Sequence, residues 1–221
     1  GSTTTTTTST TKPGASNTGV PDITLKVLSA SNKPYSADTF SADGTVFTIR
    51  TAGAVYDGWR FDSFVVVEAP SVVLRNSYFR GTTTSSDRGL LRVAPEKMAA
   101  GQPSATIEDS TFIPRSPSYH INGIMGSNFT AKRVEITGTV DGVHIHGTST
   151  RTDATAGNVT LVNSWIHDLP HYANDGGVHS DGSHNDGIQI VGGKNIKIQW
   201  NTFNGAFYNA APCLSRPMAR Y

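Results

Sequence analysis

Residues 167–186 concentrate the ionisable side chains of this chain, and we call this segment the histidine loop. It contains four of the seven histidines and four of the seventeen acidic residues. Imidazoles titrate near neutrality and carboxyl groups serve as acids or bases, so this composition favours proton-transfer chemistry. The segment has few apolar side chains, so we predict a loop that a separate scaffold must hold. The catalytic candidates are His171, His184, Asp181 and Asp186.

The histidine loop also supplies candidate ligands for a metal ion. Carboxylate oxygens suit calcium, which is the cofactor that this composition would hold. The loop histidines would also permit a transition metal, but their spacings of 4, 8 and 5 match no ligand signature. The candidate metal ligands are Asp175, Asp181, Asp186 and His179.

A repeated block of eleven residues indicates the scaffold. The second, fourth and ninth residues of each copy are apolar, as Val159, Leu161 and Ile166 show. Alternation over the first four residues predicts a strand, and the polar residues before the ninth predict a turn into a second strand. The copies occupy residues 71–81, 104–114, 128–138, 158–168 and 195–205, with a degenerate copy from Gly53.

A further short strand precedes most copies, at residues 64–67, 90–93, 142–146 and 187–191. Several strands per period, no helical periodicity and insertions at fixed corners predict an all-β, single-stranded, right-handed parallel β-helix. The repeat over residues 46–205 resembles the pectate-lyase-like β-helix superfamily. This resemblance implies that an oligosaccharide binds along an outer sheet that corner loops wall in.

The repeat predicts what lies beneath the histidine loop. Aligning residues 141–147 with residues 186–192 turns Val143 and Ile188 inward. Their outward neighbours His144 and Gln189 then lie side by side, with Met125 in the same column one coil earlier. The candidate substrate-binding residues are His144, His146, Gln189, Arg92 and Tyr172.

The resemblance implies a polysaccharide lyase that acts on or binds an acidic polysaccharide. Lyases of this superfamily neutralise the uronate carboxylate with calcium or a basic residue and remove the C5 proton with a base. His184 or His171 would serve as that base. The loop itself has no lysine or arginine, and Arg92 and Arg151 are the nearest basic residues by register.

Two alternatives to the lyase stay open. Residues 183–189 resemble the Asn-Thr-Asp-Gly strand entry of polygalacturonase-type hydrolases, with Asp186 as the aspartate and Asp181 or Asp141 as its partner. Inverting hydrolases hold the two carboxyl groups roughly 6.5–9.5 Å apart. The other alternative is a non-catalytic sugar-binding or structural module, because Asp and Asn before Gly also serve as turn residues. Such a corner role is predicted for Asn76, Asp109 and Asn163.

Composition and charge argue against two kinds of binding partner, nucleic acids and membranes. The formal charge is +1, 16% of residues are charged, and no run of Lys or Arg occurs, so we predict no nucleic-acid partner. No apolar run approaches the length of a membrane span, so no membrane partner is predicted. Cys213 is the only cysteine, which excludes an internal disulfide framework and a cysteine-based zinc site.

The two ends of the chain differ from the repeat. Residues 1–20 are rich in Ser and Thr and predict a linker or tail like those of secreted polysaccharide-active proteins, with the β-helix domain over residues 21–211. Residues 212–221 are irregular, and their codons can encode another strand in a shifted frame. We therefore expect a β-helix truncated by a frameshift. Its uncapped coil would pair with a second copy into a homodimer.

Overall fold

A computed structural model describes residues 11–94, 103–147, 157–204 and 213–214. These residues form strands, bends and turns, with no helix among them. Within the same ranges no helix has the length and apolar character that a membrane crossing requires. The strands assemble into three sheets of eight, six and seven strands.

Successive strands along the chain belong to the three sheets in a regular order. Sheet 1 contains β2 (Thr39–Phe40), β3 (Val46–Ile49), β6 (Phe64–Val67), β9 (Arg88–Val93), β12 (Ile121–Gly126), β15 (Val143–Ile145), β18 (Ile188–Ile190) and β21 (Cys213–Leu214). Sheet 2 contains β4 (Val55–Asp57), β7 (Val72–Arg75), β10 (Ala105–Glu108), β13 (Phe129–Lys132), β16 (Gly157–Val162) and β19 (Lys194–Gln199). Sheet 3 contains β1 (Lys26–Val27), β5 (Trp59–Phe61), β8 (Tyr78–Phe79), β11 (Thr111–Phe112), β14 (Glu135–Thr137), β17 (Trp165–His167) and β20 (Thr202–Asn204).

The chain passes from sheet 1 to sheet 2 to sheet 3 and returns to sheet 1, and we call one such passage a circuit. Strands β2 and β3 pair antiparallel, and the other neighbouring strands of the sheets pair parallel. This all-β architecture of parallel sheets is compatible with a β-helix. The eleven-residue block corresponds to one sheet 2 strand, the corner after it and one sheet 3 strand.

The apolar positions of the block form the core. Val72, Leu74 and Phe79 are fully buried, and their counterparts in the next three copies are also buried. Phe79 stacks between Phe61 and Phe112, with ring centroids 4.8 and 4.5 Å away. Each such side chain contributes about 1.5–3 kcal/mol on burial, so the repeated pattern is the main source of stability for the scaffold.

The predicted corner residues adopt the left-handed conformation that a tight turn requires. Asn76, Asp109 and Asn163 have φ values of 50°, 47° and 52°. Asn and Asp tolerate this conformation better than most residues, which confirms their assignment to one corner. Buried serines support the same corner, and the Ser110 hydroxyl donates to the Glu108 carbonyl (2.7 Å) and accepts the Ser77 N–H (3.1 Å).

The hairpin of β2 and β3 covers the first circuit and contains a buried carboxylate. Asp38 has 0% exposure and accepts four hydrogen bonds. The donors are the Arg50 N–H (2.8 Å), the Thr51 N–H (2.9 Å), the Thr51 hydroxyl (2.9 Å) and the Tyr56 hydroxyl (2.6 Å). Burial raises the pKa of the Tyr56 hydroxyl, and the Asp38 carboxylate raises it further, so this hydroxyl remains a donor.

Both ends of the predicted β-helix domain meet the sheets. Of the predicted linker, residues 1–10 lie outside the described residues, but Gly19 donates to the Arg133 carbonyl (2.9 Å) and Val20 to the Thr111 hydroxyl (2.8 Å). Of the predicted irregular tail, Cys213 and Leu214 form β21, and the remaining residues lie outside the described ranges.

Candidate active site beneath the histidine loop

The predicted register of sheet 1 is confirmed. Arg92, Met125, His144 and Gln189 are direct partners on four successive strands, so they form one column on the outer face. Arg92, His144 and Gln189 are half-buried, whereas Met125 is buried. His146 follows two residues after His144 on the same strand side, and the two rings lie 5.2 Å apart. The column therefore offers polar groups along a line that crosses the strands.

Both ends of the histidine loop are tied together at one buried amide. Asn185 has no exposed surface, and its Nδ2 donates to the Val140 carbonyl (3.3 Å) and to the Pro170 carbonyl. Its Oδ1 accepts the Ser183 hydroxyl (2.9 Å). The Ser183 hydroxyl oxygen also accepts the Tyr172 N–H (2.9 Å). Asn185 thus connects the start of the loop, its end and the bend between β14 and β15.

At its start the histidine loop is anchored to sheet 3. The buried ring of His167 stacks on Trp165, with centroids 3.5 Å apart. Its Nδ1 lies 2.7 Å from an oxygen of Asp168, and its Nε2 lies 3.3 Å from an oxygen of Glu135. His167 therefore positions the loop and does not face the column on sheet 1.

Asp141 and Asp186 form a buried carboxyl pair where β15 and β18 begin. The register of these strands places the two residues side by side, and the Asp186 N–H donates to Asp141 Oδ1 (2.9 Å). They are only 7% and 3% exposed. Asp186 Oδ1 is buried and has no hydrogen-bond partner among the described residues. A carboxyl group in this state is costly for folding, which marks the pair as a functional candidate.

Burial also shifts the acidity of the pair. It raises the pKa of Asp141 to about 7, with smaller contributions from the charges of Asp186 and Asp87. Burial likewise raises the pKa of Asp186, and the nearby charge of His184 partly opposes this shift. One proton is therefore retained near neutrality on a pair of neighbouring carboxyl groups, as general acid catalysis requires.

A second polar pair lies one strand away from the carboxyl pair. The Asn122 amide donates to Asp87 Oδ1 (2.6 Å) and lies 3.6 Å from the Met125 sulfur. The Gly123 N–H donates to the Asp141 carbonyl (2.9 Å), so Asn122 lies beside Asp141 in the strand register. The side chain of Asn122 is buried, whereas Asp87 lies at the exposed rim.

Aromatic side chains connect the histidine loop to this rim. Tyr172 lies edge-on to Tyr119 with ring centroids 6.2 Å apart, and Tyr119 packs against His120 at 4.1 Å. A side chain at Gly176 would meet the Tyr119 hydroxyl, so the loop approaches Tyr119 closely there. Tyr172 was predicted as a substrate-binding residue, and it forms one wall above the sheet.

The other loop residues that were predicted as catalytic residues or metal ligands contact one another inside the loop. His179 Nδ1 lies 2.6 Å from Asp175 Oδ2, and His184 Nε2 lies 3.3 Å from Asp181 Oδ1. The rings of His179 and His184 stack at 3.9 Å. The hydrogen bond from His184 lowers the pKa of Asp181. His171 Nε2 lies 3.2 Å from the Asp181 carbonyl oxygen.

The predicted metal ligands do not converge in the described part of the chain. Asp175 contacts His179, and Asp181 contacts His184, but Asp186 lies with Asp141. Among the described residues, no group of three or more His, Cys, Asp or Glu side chains could hold a metal ion. Calcium binding stays a prediction, and no step proposed below uses a metal.

The sequence identified the histidine loop and the column, but it missed Asp87, Asn122, Tyr119 and His120. Asp141 was considered only as a partner for Asp186. The signal for that pair was available, because Asp-Gly precedes the inward-facing residue in both aligned segments. No spacing signal points to Asp87 and Asn122, which are 35 residues apart. Arg151, the other basic residue weighed for a lyase, lies outside the described residues.

Comparison with known proteins does not assign this site. No protein family, curated protein or solved structure matches the chain. The case for a function therefore rests on the residues beneath the histidine loop and on the register that brings them together.

Proposed function

We propose that the chain is a carbohydrate-active, right-handed parallel β-helix protein of the pectate-lyase-like type that cleaves a glycosidic bond on the outer face of sheet 1. The observation that carries this proposal is the buried pair of Asp141, whose pKa is raised to about 7, and Asp186, whose Oδ1 has no hydrogen-bond partner among the described residues. The column of Arg92, His144 and Gln189 would bind the oligosaccharide, with Tyr172 as a wall.

Hydrolysis uses the two carboxyl groups in different protonation states. Asp141, whose pKa is raised to about 7, would donate a proton to the leaving glycosidic oxygen. Asp186 would attack the anomeric carbon as its bond to the leaving oxygen breaks, forming a covalent glycosyl-enzyme. A water molecule, deprotonated by the Asp141 carboxylate, would then attack the same carbon and release the sugar, which restores Asp186 as a carboxylate and Asp141 as an acid. Asp141 and Asp186 lie side by side where two neighbouring parallel strands begin, and retaining glycosidases hold their carboxyl groups close together, roughly 5–5.5 Å apart. We therefore propose retention of configuration, which proton NMR of the first product anomer would test.

Elimination on an acidic polysaccharide is the second candidate reaction, and one observation favours it. Arg92 occupies the same column as His144 and Gln189, where a guanidinium and an amide could bind a uronate carboxylate. A histidine of the site would remove the C5 proton, the bond from C4 to the leaving oxygen would break, and Asp141 would protonate that oxygen. The product would carry a new carbon–carbon double bond.

One assay separates the two reactions. The protein would be incubated with pectate, alginate, glucuronan, chitosan and cellulose oligomers, and both reducing ends and ultraviolet absorbance of unsaturated products would be measured. Hydrolysis releases reducing ends without new absorbance, whereas elimination produces both. Loss of turnover in Asp186→Asn, with turnover kept in the surface variant Asp57→Asn, supports the proposal. No cleavage of any polymer would favour the alternative of a non-catalytic sugar-binding or structural module.

A further inference from the structure

The buried amide of Asn122 has an acceptor that nothing among the described residues satisfies. The side chain is 1% exposed, and its Nδ2 is fixed by the 2.6 Å hydrogen bond to Asp87. This contact assigns the other amide atom as the oxygen, and Oδ1 is buried with no hydrogen-bond partner in the described ranges. A ligand that brings a donor to this position would satisfy it.

The surroundings of Asn122 are acidic. Asp87 accepts from its amide, and Asp141 lies beside it in the strand register. Among the described residues, no Lys or Arg forms an ion pair with Asp87, Asp141 or Asp186. The guanidinium of Arg88, the next residue along the chain, lies over the Phe64 ring, 5.7 Å from its centroid. The titratable groups whose charges act on Asp87 are His120 and His146.

A second Asp–Asn pair in the molecule shows what is missing here. Asp57 accepts from the Asn76 amide (2.8 Å), as Asp87 does from Asn122. Asp57 also accepts from the Arg75 guanidinium at 2.9 Å, so its charge is compensated within the protein. Asp87 has no such cation among the described residues. The two pairs have the same side chains, but among the described residues Asp57 has a guanidinium partner and Asp87 has no Lys or Arg partner.

An ammonium group fits these requirements better than the other functional groups of a sugar. It carries three donors, no acceptor and a positive charge, so it can bind both Asn122 Oδ1 and the Asp87 carboxylate. A hydroxyl supplies one donor and no charge. A uronate carboxylate supplies acceptors and a negative charge that Asp87 and Asp186 would repel.

We infer that Asp87 and Asn122 form a subsite for the protonated amine of an amino sugar whose glycosidic bond lies at Asp141 and Asp186. The sugar part of this inference rests on the proposed function, but the amine part is measured by binding alone. The subsite lies one strand from the carboxyl pair, so it would select the sugar unit that is cleaved or its neighbour.

Calorimetric titration tests the subsite with β-1,4-linked glucosamine oligomers, N-acetylated oligomers of equal length and uronate oligomers. Each oligomer is checked after the titration to be uncleaved, so that the heat measured is that of binding. The glucosamine oligomer should bind most tightly. Asp87→Asn should weaken its binding about tenfold or more, because a charged hydrogen bond is lost. The same variant should leave the N-acetylated oligomer within about twofold. Asp57→Asn, the matched control, should change neither affinity.

Several outcomes would overturn the subsite. One is that the N-acetylated or uronate oligomers bind as tightly as the glucosamine oligomer or more tightly. Another is that Asp87→Asn binds the glucosamine oligomer as tightly as the wild type does. A third is that an oligolysine peptide binds as tightly as the glucosamine oligomer, which would exclude a sugar site. If Asp87→Asn unfolds at a lower temperature than the wild type, the salt dependence of oligomer binding by the wild type is measured instead. Salt should then weaken glucosamine binding more than N-acetylglucosamine binding. Failure of the proposed function is a separate result, namely amine-selective binding without cleavage of any polymer.

Discussion

Asp38 and Asp186 are two carboxyl groups buried at opposite regions of the molecule, and their surroundings differ sharply. Asp38, under the hairpin that covers the first circuit, is 0% exposed and accepts hydrogen bonds from four donors. Asp186, beneath the histidine loop, is 3% exposed, and its Oδ1 has no partner among the described residues. Burial alone therefore does not identify a site, and the two carboxyl groups differ in the hydrogen-bond donors that the described residues supply to them.

The difference has a physical meaning. A buried carboxylate with a full set of donors stabilises the fold around it, because its removal strands those donors. A buried carboxylate without donors destabilises the free protein, and it persists where a ligand or a proton completes it. By this criterion Asp38 stabilises the fold, and Asp186 is the residue for which we propose a functional role.

The largest expected effect is on activity. Asp186→Asn keeps the shape of the side chain but removes the carboxylate that we propose acts at the anomeric carbon, so kcat/KM should fall about a thousandfold or more. Initial rates on whichever polymer the wild type cleaves would measure this loss. Asp57→Asn, which removes a surface carboxylate paired with Arg75, should stay within about twofold. Equal losses in both variants would show that the carboxyl pair has no special role.

The next largest expected effect is a loss of stability when the Asp38 carboxylate is removed. Asp38→Ala leaves the Tyr56 hydroxyl and the Arg50 and Thr51 N–H groups without their acceptor. The free energy of unfolding should fall by about 3–5 kcal/mol, as when one partner of a buried charged network is removed. Urea unfolding followed by circular dichroism would measure the change. A loss below about 1 kcal/mol would remove the contrast between the two sites.

A neutral side chain beside Asp186 should behave like Asp38. Asn185 is fully buried and bonded to Val140, Pro170 and Ser183, so it belongs to the satisfied class. Asn185→Ala should lower the free energy of unfolding by about 2 kcal/mol, because two carbonyl groups lose a donor. Urea unfolding would measure this, and Asn174→Ala, in the exposed part of the loop, is the control. Unchanged stability would mean that the loop is not held at this amide.

Stability should also depend on pH through Asp141. The pKa of Asp141 is raised from 3.8 to about 7, so the folded protein retains a proton that the unfolded chain releases between these values. Stability should therefore fall as pH rises from about 4 to about 7 and then level off, by at most about 1.4 kcal/mol per pH unit. Urea unfolding of wild type and Asp141→Asn across this range would measure it. Equal slopes in both proteins would contradict the raised pKa.

The same carboxyl group predicts the pH dependence of the reaction. If protonated Asp141 is the general acid, its pKa of about 7 means that the rate falls above neutrality, by about tenfold per pH unit. A pH profile of kcat/KM would check this. A rate that keeps rising above pH 8 would assign the acid to another group.

The scaffold was more predictable than the site, and the reason is visible in particular residues. Val72, Leu74 and Phe79 recur as a pattern in every copy, and a repeated pattern determines which residues face the core. The same register correctly placed His144 beside Gln189. The prediction of the fold therefore needed only positions that repeat along the chain.

The site depends on positions that do not repeat. The histidine loop drew attention because it contains many ionisable residues, yet His179 and His184 pair with aspartates of the loop itself. Asp87 and Asn122 meet across 35 residues, and no local pattern marks either of them. Burial and missing partners identified the pair of Asp141 and Asp186, and neither property can be read from composition. Calcium, a secreted location and a homodimer stay predictions.

We propose that Asp186 Oδ1 is buried without a hydrogen-bond partner among the described residues because this carboxyl group acts on a ligand. The most direct test compares the free energies of unfolding of Asp186→Asn and Asp38→Asn in urea at neutral pH without ligand. We expect the free energy of unfolding of Asp186→Asn to equal or exceed that of the wild type, since an amide can donate to Asp141. We expect the free energy of unfolding of Asp38→Asn to be clearly lower than that of the wild type. A similar loss of stability in both variants would contradict this proposal.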